Sequence, residues 1–363
     1  MKAMTDYQKL ASQKLSKQFF NEEELSEKKA ESFKEKYRVL FDGLRLDRVS
    51  GRFLNPVENG IAVSRLTTGF KSIDLALGGG IAKGDVAALS GAPSVGKSTF
   101  ALQMAENMAS EGNPVLYFSY EMSKEQVAAK SIGRNYYLTT NKKKGFSAID
   151  LLNMEKWSGV FADKGFLKDY EKAVERAQGF NKKILFFDCT VEPLSIDDIE
   201  TIVNNYIEVF GELPVIFIDY LHMIPSPVDE NGTEIYTGDK ARIDYNMKSM
   251  RRISSNLNCT IIFISALRKD DFRMEADMAG LMGSSAIPYN CDLILGLQYA
   301  AVNDPGFSVE AEQNRHPRRV ELVVTKSRYY GVGKKVKLHY YNEYDYFEEG
   351  VEKRAWNTET RKK

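Results

Sequence analysis

Gly91-Ala92-Pro93-Ser94-Val95-Gly96-Lys97-Ser98 is the stretch on which the fold turns. It fits the phosphate-binding loop pattern G-x-x-x-x-G-K-[ST]. Glycines let the backbone wrap so tightly that successive N–H groups point inward at phosphate oxygens. A helix starting inside the loop adds the positive end of its dipole to the same anion. In that geometry Lys97 reaches the β- and γ-phosphates, and the Ser98 hydroxyl holds Mg²⁺. The flanks agree with this reading. Asp85-Val-Ala-Ala-Leu-Ser90 reads as a short buried strand. Ser98 to Ser110 reads as a helix with Phe100, Ala101, Met104, Ala105 and Met108 on one face. A Gly-rich turn that binds nothing does not require that strand–loop–helix order. Phosphate contacts are expected along Gly91, Ala92, Pro93, Ser94, Val95, Gly96, Lys97, Ser98 and Thr99.

Bulk properties narrow the class. A chain of 363 residues makes one large domain or two. Fifty Lys and Arg balance fifty Asp and Glu. That argues against a basic coat for nonspecific duplex binding and leaves a local basic channel open. Cys189, Cys259 and Cys291 have no paired spacing, so neither a zinc site nor a disulfide framework follows. They read as small core residues near strands, in keeping with a reducing cytosol. No apolar run approaches membrane-spanning length, and the first residues are charged rather than signal-like. The expectation is a cytoplasmic protein with no membrane partner.

Three regions are expected: a helical extension and linker over 1–62, an α/β domain over 63–350, and a polar tail over 351–363. In the first, Leu25, Phe33, Tyr37, Leu40, Phe41 and Leu44 fall at roughly helical spacing. That stripe packs either on its own domain or on a neighbouring subunit. From about 63 onward, strand and helix signals alternate. Strands are expected over 114–119, 183–188, 214–219 and 260–265. Helices are expected from 124, around 148–158 and 168–178, from the Ser195 cap with Asp198 three residues on, and over 241–257. After 292 the pattern turns to strands, at 292–298, 319–326, 334–341 and 345–348. Alternation implies a mostly parallel sheet covered on both faces. The late strands would extend it as antiparallel hairpins.

Two carboxylates belong with the loop. Val215-Ile-Phe-Ile-Asp219 is an apolar strand ending in an acid that can complete a Mg²⁺ shell with Ser98. A strand-end Asp is also a common turn cap. Glu121 follows the neighbouring strand, where a carboxylate can orient and deprotonate an attacking water. Its plainer reading is a favourable charge at a helix start.

Longer matches make the chain recognisable. Thr68-Gly69-Phe-Lys-Ser-Ile73-Asp74, Gly78-Gly79-Gly80 and Gly84-Asp85 lead into the loop and resemble the entry to a RecA-like core. Phe100-Ala-Leu, Ala105-Glu-Asn and Pro114-Val-Leu-Tyr-Phe-Ser-Tyr-Glu-Met-Ser-Lys-Glu-Gln126 follow. So do Ile218-Asp219-Tyr220-Leu221, Gly283-Ser-Ser-Ala-Ile287 and Thr325-Lys326-Ser-Arg328-Tyr-Tyr-Gly331. This ordered set, over about 64–348, resembles the DnaB-type replicative helicases. The resemblance implies a RecA-like P-loop core, with a mostly parallel twisted sheet flanked by helices and C-terminal antiparallel strands. It implies a homo-oligomeric ring, usually a hexamer, with ATP and Mg²⁺ at subunit interfaces. Lys326 and Arg328 match the basic pair that reaches the γ-phosphate of the adjacent subunit; a solvated basic strand end is the plain alternative. Segments 225–240 and 267–284 match the central-channel loops, making Arg268, Lys269 and Arg273 the candidate contacts to single-stranded DNA. A loader or another replication protein is a further partner implied.

The chain also departs from the pattern. Some 60 residues stand where the family has an assembly domain, so primase recruitment through that domain is not expected. Ala266 replaces a Gln held to sense γ-phosphate, and a methyl cannot make that hydrogen bond. His222 replaces another Gln, either as a phosphate contact or as a structural imidazole. Asp229, Glu230, Glu234 and Asp239 face only Lys240 in the first channel loop, which would repel a phosphate backbone. Two functions therefore compete: an ATP-dependent DNA helicase or single-stranded DNA translocase, and a DnaB-like ATPase acting as switch, loader or defence component. A recombinase or clock-type relative ranks third. The missing Asn-Lys-x-Asp and Leu-Ser-Gly-Gly signatures argue against a GTPase and an ABC ATPase.

Overall fold

The computed structural model describes residues 64–153, 164–267, 275–281 and 284–350. The expected N-terminal helices and linker, the polar tail, Gly283 and the basic trio Arg268, Lys269 and Arg273 lie outside the described residues. A small hairpin of β1 (Arg65–Leu66) and β2 (Ile81–Ala82) brackets α1 (Lys71–Ala76). Then β3 (Val86–Gly91) runs into the loop and α2 (Lys97–Ser110). After them come β4 (Val115–Ser119), α3 (Lys124–Thr139), α4 (Ala148–Leu152), α5 (Lys164–Asn181) and β5 (Ile184–Asp188). The chain continues through α6 (Ile196–Phe210), β6 (Val215–Asp219), α7 (Asp239–Leu257), β7 (Ile261–Ala266) and α8 (Ala286–Asn290). It ends with β8 (Leu293–Tyr299), α9 (Val309–Gln313), β9 (Arg318–Ser327), β10 (Lys335–Tyr341) and β11 (Tyr346–Glu349).

Nine strands form one sheet in the order β11-β10-β9-β8-β3-β7-β6-β4-β5. The six from β8 to β5 are mutually parallel; β9, β10 and β11 add on antiparallel. This corrects one expectation. The strand near 292–298 does not open the antiparallel set: β8 pairs parallel with β3, Ala87 opposite Leu293 and Gly91 opposite Leu297. The central strands read as unbroken apolar runs because helices cover both faces. In β3 and β7, Ala87, Leu89, Ile262 and Ile264 face the α2 side. Val86, Ala88, Ile261 and Phe263 face α6 and α7. Each fully buried aliphatic or aromatic side chain contributes about 1.5–3 kcal/mol.

Capping chemistry sets the helix starts. Ser123 with Gln126, Ser147 with Asp150 and Ser195 with Asp198 form reciprocal capping boxes on α3, α4 and α6. The Ser123–Gln126 part of the recognisable motif is thus structural. The loop helix differs from its expected form. Phe100, Ala101, Met104, Ala105 and Met108 are buried, but so are Thr99, Leu102, Gln103, Glu106 and Ala109. The helix is covered on more than one face because later elements wrap it. Gln103 accepts from the backbone N–H of Phe347 on β11 and donates to its carbonyl. Glu106 makes a 2.7 Å ion pair with Arg134 of α3, both nearly inaccessible. Deleting one member of such a buried pair costs about 3–5 kcal/mol, so α2 is held rigidly.

At the opposite end of the parallel strands, Asp85 is 6% exposed. Burial first, then the neighbouring Asp292, push its carboxyl up to about 7, against Arg65, Arg251 and Arg328. An unstructured aspartate loses its proton near about 3.9. The folded state therefore holds the proton longer, and stability falls as pH rises between those values. Asp85→Asn removes the ionisation. Thermal melts are expected to show a higher midpoint than the parent at pH 8, with the gain shrinking toward pH 5. A pH-independent difference would remove Asp85 as the cause.

Candidate active site

The loop between β3 and α2 has the shape its sequence demands. Ser94 and Gly96 adopt φ of 61° and 103°. A Cβ on Gly96 would lie 2.8 Å from the rings of Phe347 and Tyr340, so the site requires glycine on both counts. At Gly91 a Cβ would collide with the Leu297 carbonyl oxygen of β8. No side chain caps the start of α2, and its first-turn N–H groups are left for an anion. The Lys97 ammonium folds back onto the Ala92 carbonyl at 2.9 Å. Burial holds it below the usual lysine range, against the pull of Glu121 and Asp219.

The two carboxylates come from the strands beyond. β4 and β6 pair in register, Ser119 opposite Asp219, so their following residues emerge together. Asp219 is 1% exposed. Its Oδ2 accepts from the Tyr117 hydroxyl at 3.4 Å, while Oδ1 accepts nothing among the described residues. Burial raises this carboxyl to about 6, against the Ser98 hydroxyl and the Lys97 ammonium. A buried oxygen without a donor, beside a serine hydroxyl, suits a hard divalent cation. Glu121 is exposed and borders the same cavity of about 440 Å³ as Ser94, Lys97, Ser98, Lys130 and Ala266. A larger cavity of about 760 Å³ lies behind α2, but it does not include the loop, and its Glu106 and Arg134 pair with each other.

Ala266 stands opposite Gly91 at the end of β7, so the methyl lines the cavity where the resemblance implies an amide. His222 sits half-buried in the turn after Asp219, its carbonyl accepting from Arg242 at 3.1 Å. In the acidic segment, Asp229 Oδ1 accepts from the N–H groups of Asn231 and Thr233, and Asp239 pairs with Arg242 at 2.7 Å. Two of the four acids thus do local structural work, and Glu230 and Glu234 stay exposed.

Lys326 and Arg328 are not near this loop. β9 runs antiparallel to β8 with Ser327 opposite Leu293, at the strand starts, whereas the loop follows the strand ends. Val86 to Gly91 spans five steps, about 17 Å. Lys326 Nζ donates to the carbonyls of Pro288 and Cys291, satisfying the end of α8. Arg328 is exposed, with Nε 2.8 Å from Asp292 Oδ1.

The structure also brings in residues that sequence reading missed. Arg318, at the start of β9, donates to the Ser94 carbonyl of the loop at 2.9 Å. Lys130 of α3 reaches Asp345 Oδ1 at 2.5 Å, and that carboxylate oxygen also accepts from Thr99 at 3.2 Å. Nothing local marks Lys130, Arg318 or Asp345.

With the geometry in place, comparison with known proteins is direct. The DnaB-like helicase C terminal domain family matches residues 65–349. The replicative DNA helicase DnaB of Haemophilus influenzae is 24% identical over 311 residues, 84% of this chain and 59% of that one. A probable plasmid replicative DNA helicase of Chlamydia trachomatis is 26% identical over 257 residues, 69% of this chain and 50% of the relative. The chain thus spans between half and three-fifths of the length of these relatives. A solved ATPase domain superposes with TM-score 0.66 at 21% identity, covering 85% of this chain and 99% of its own. A DnaB-like replicative helicase solved with attention to its primase interactions gives 0.65 at 19%, covering 95% and 80%. Among the described residues, no helix is long and apolar enough to cross a membrane. A family match over most of the chain leads to one conclusion: the chain belongs to the DnaB-like helicase C-terminal domain family.

Proposed function

We propose that the protein is an ATP-dependent DNA helicase or single-stranded DNA translocase, working as a homo-oligomeric ring with ATP hydrolysed between subunits. The observation that carries this reading is the separation of Arg328 from its own loop by the length of β3. An arginine so placed can stabilise γ-phosphoryl charge only in another copy. In this reading the loop N–H groups from Gly91 to Thr99 and Lys97 cradle the phosphates. Ser98 and Asp219 would hold Mg²⁺, which would supply charge neutralisation of the phosphates. Glu121 orients and deprotonates the attacking water. Arg328 of the next subunit meets the charge that develops as the phosphoryl bond breaks. Lys326 joins it only by leaving the two carbonyls of its own chain. Arg268, Lys269 and Arg273 follow β7 and supply the proposed DNA contacts.

A second reading is favoured by Ala266. A methyl at the γ-phosphate edge of the cavity cannot report phosphate loss to the segment after β7 through a hydrogen bond. That suits a DnaB-like ATPase that switches or loads without unwinding. ATP turnover with and without single-stranded DNA, at low and high salt, separates the two. The first reading expects stimulation at low salt that fades as salt rises, because phosphate contacts release counterions. Turnover indifferent to nucleic acid at both salts would favour the second.

A further inference from the structure

We propose that Asp292 is the positioning residue of Arg328, fixing one edge of its guanidinium so that the rest is offered to a neighbouring subunit. This inference rests on the trans reading of Arg328 given above. Asp292 precedes β8 and has a side chain only 2% exposed. Its Oδ2 accepts from the Val86 N–H at 2.9 Å and from Arg251 of α7. Its Oδ1 lies 2.8 Å from Arg328 Nε. The Arg328 backbone N–H also donates to the Asp292 carbonyl at 3.0 Å. The residue is thus held at main chain and side chain by one partner.

The occupancy of that carboxylate decides the geometry. An arginine facing a free carboxylate tends to bind both oxygens in a fork, which commits its terminal nitrogens. Here Arg251 and Val86 already use Oδ2, so Arg328 gets a one-edged grip on Oδ1. Among the described residues, neither terminal nitrogen of Arg328 donates to this chain. An exposed arginine otherwise samples many rotamers, and ordering it would oppose transition-state contact. Asp292 removes part of that freedom beforehand.

Asp292→Asn tests this. The amide oxygen still accepts from Val86, but the charge that holds Arg328 is gone. ATP turnover is expected to fall about tenfold or more, with KM for ATP little changed. Co-assembly with Lys97→Ala subunits is expected to restore turnover, because an intact finger then meets the intact loop of the Asp292→Asn subunit. Arg328→Ala co-assembled with Lys97→Ala serves as the reference. If that pair stays inactive, the trans reading fails and takes this inference with it. If it recovers, while Asp292→Asn either turns over like the parent or is not restored by mixing, only this inference is overturned. Should the asparagine variant not fold, Arg328→Lys on the exposed strand end replaces it. A single ammonium cannot pair with Asp292 and reach a neighbour together, so turnover is expected to match Arg328→Ala. Turnover near that of the parent would count against an anchored guanidinium.

Discussion

Lys97→Ala is expected to lower ATP turnover by about 10²–10³-fold or more, the largest effect of any single change in one subunit's loop. Glu121 and Asp219 both pull on the ammonium electrostatically. Its present partner is only a loop carbonyl, that of Ala92. An arriving phosphate offers a charged partner in its place, so the contact strengthens as substrate charge develops. Alanine loses this and takes away the cation that acts on both carboxylates. The fold is expected to persist, because Lys97 is only partly buried and α2 is held by Glu106, Gln103 and its apolar residues. Phosphate release and binding of a nucleotide analogue measure the two sides. Turnover near the parent value would remove the phosphate-loop assignment itself.

Arg328→Ala is the second large effect, and its signature differs. An arginine finger contributes about 10³–10⁵-fold to turnover. Since Arg328 sits at the opposite strand ends from its own loop, its loss is expected to spare ATP binding by each subunit. Turnover should nevertheless collapse in the assembled protein. In the proposed ring, mixing Arg328→Ala and Lys97→Ala subunits is expected to restore activity at interfaces where a good loop meets a good finger. Mixtures as inactive as either parent variant would place Arg328 outside the reaction.

The readable part of this protein was local. The phosphate loop, the strand before it and the apolar strand ending at Asp219 each declare themselves within ten residues, through glycine placement and hydrophobic runs. Capping boxes at Ser195 and Ser123 are equally local. What escaped depends on residues far apart in the chain. The second face of α2 is covered by β11, about 240 residues later. Arg318 meets Ser94 across 224 positions, and Asp345 meets Thr99 across 246. Strand direction escaped for another reason. An apolar run such as Leu293 to Tyr299 pairs equally well either way, and only the path of the preceding chain makes β8 parallel. Nothing local marks Asp292, at the start of the expected strand 292–298, because its three partners come from three other elements.

β9 gives these contacts a mechanical meaning. Its ten residues span about 30 Å. Arg318 ties one end to the loop of the same subunit, and Arg328 stands just beyond the other end. Through Asp292, that far end is fastened to Val86, the first residue of the strand that leads to the loop. The loop, β9, Asp292 and β3 therefore close into a braced frame, much as a crossbar stiffens a gate. A brace does not bend at its middle; it tilts. Were the proposed ring built of such frames, a tilt that opened the cleft around one nucleotide would swing the opposite corner against the next. Adjacent sites would then take turns through rigid geometry alone, with no flexible messenger between them.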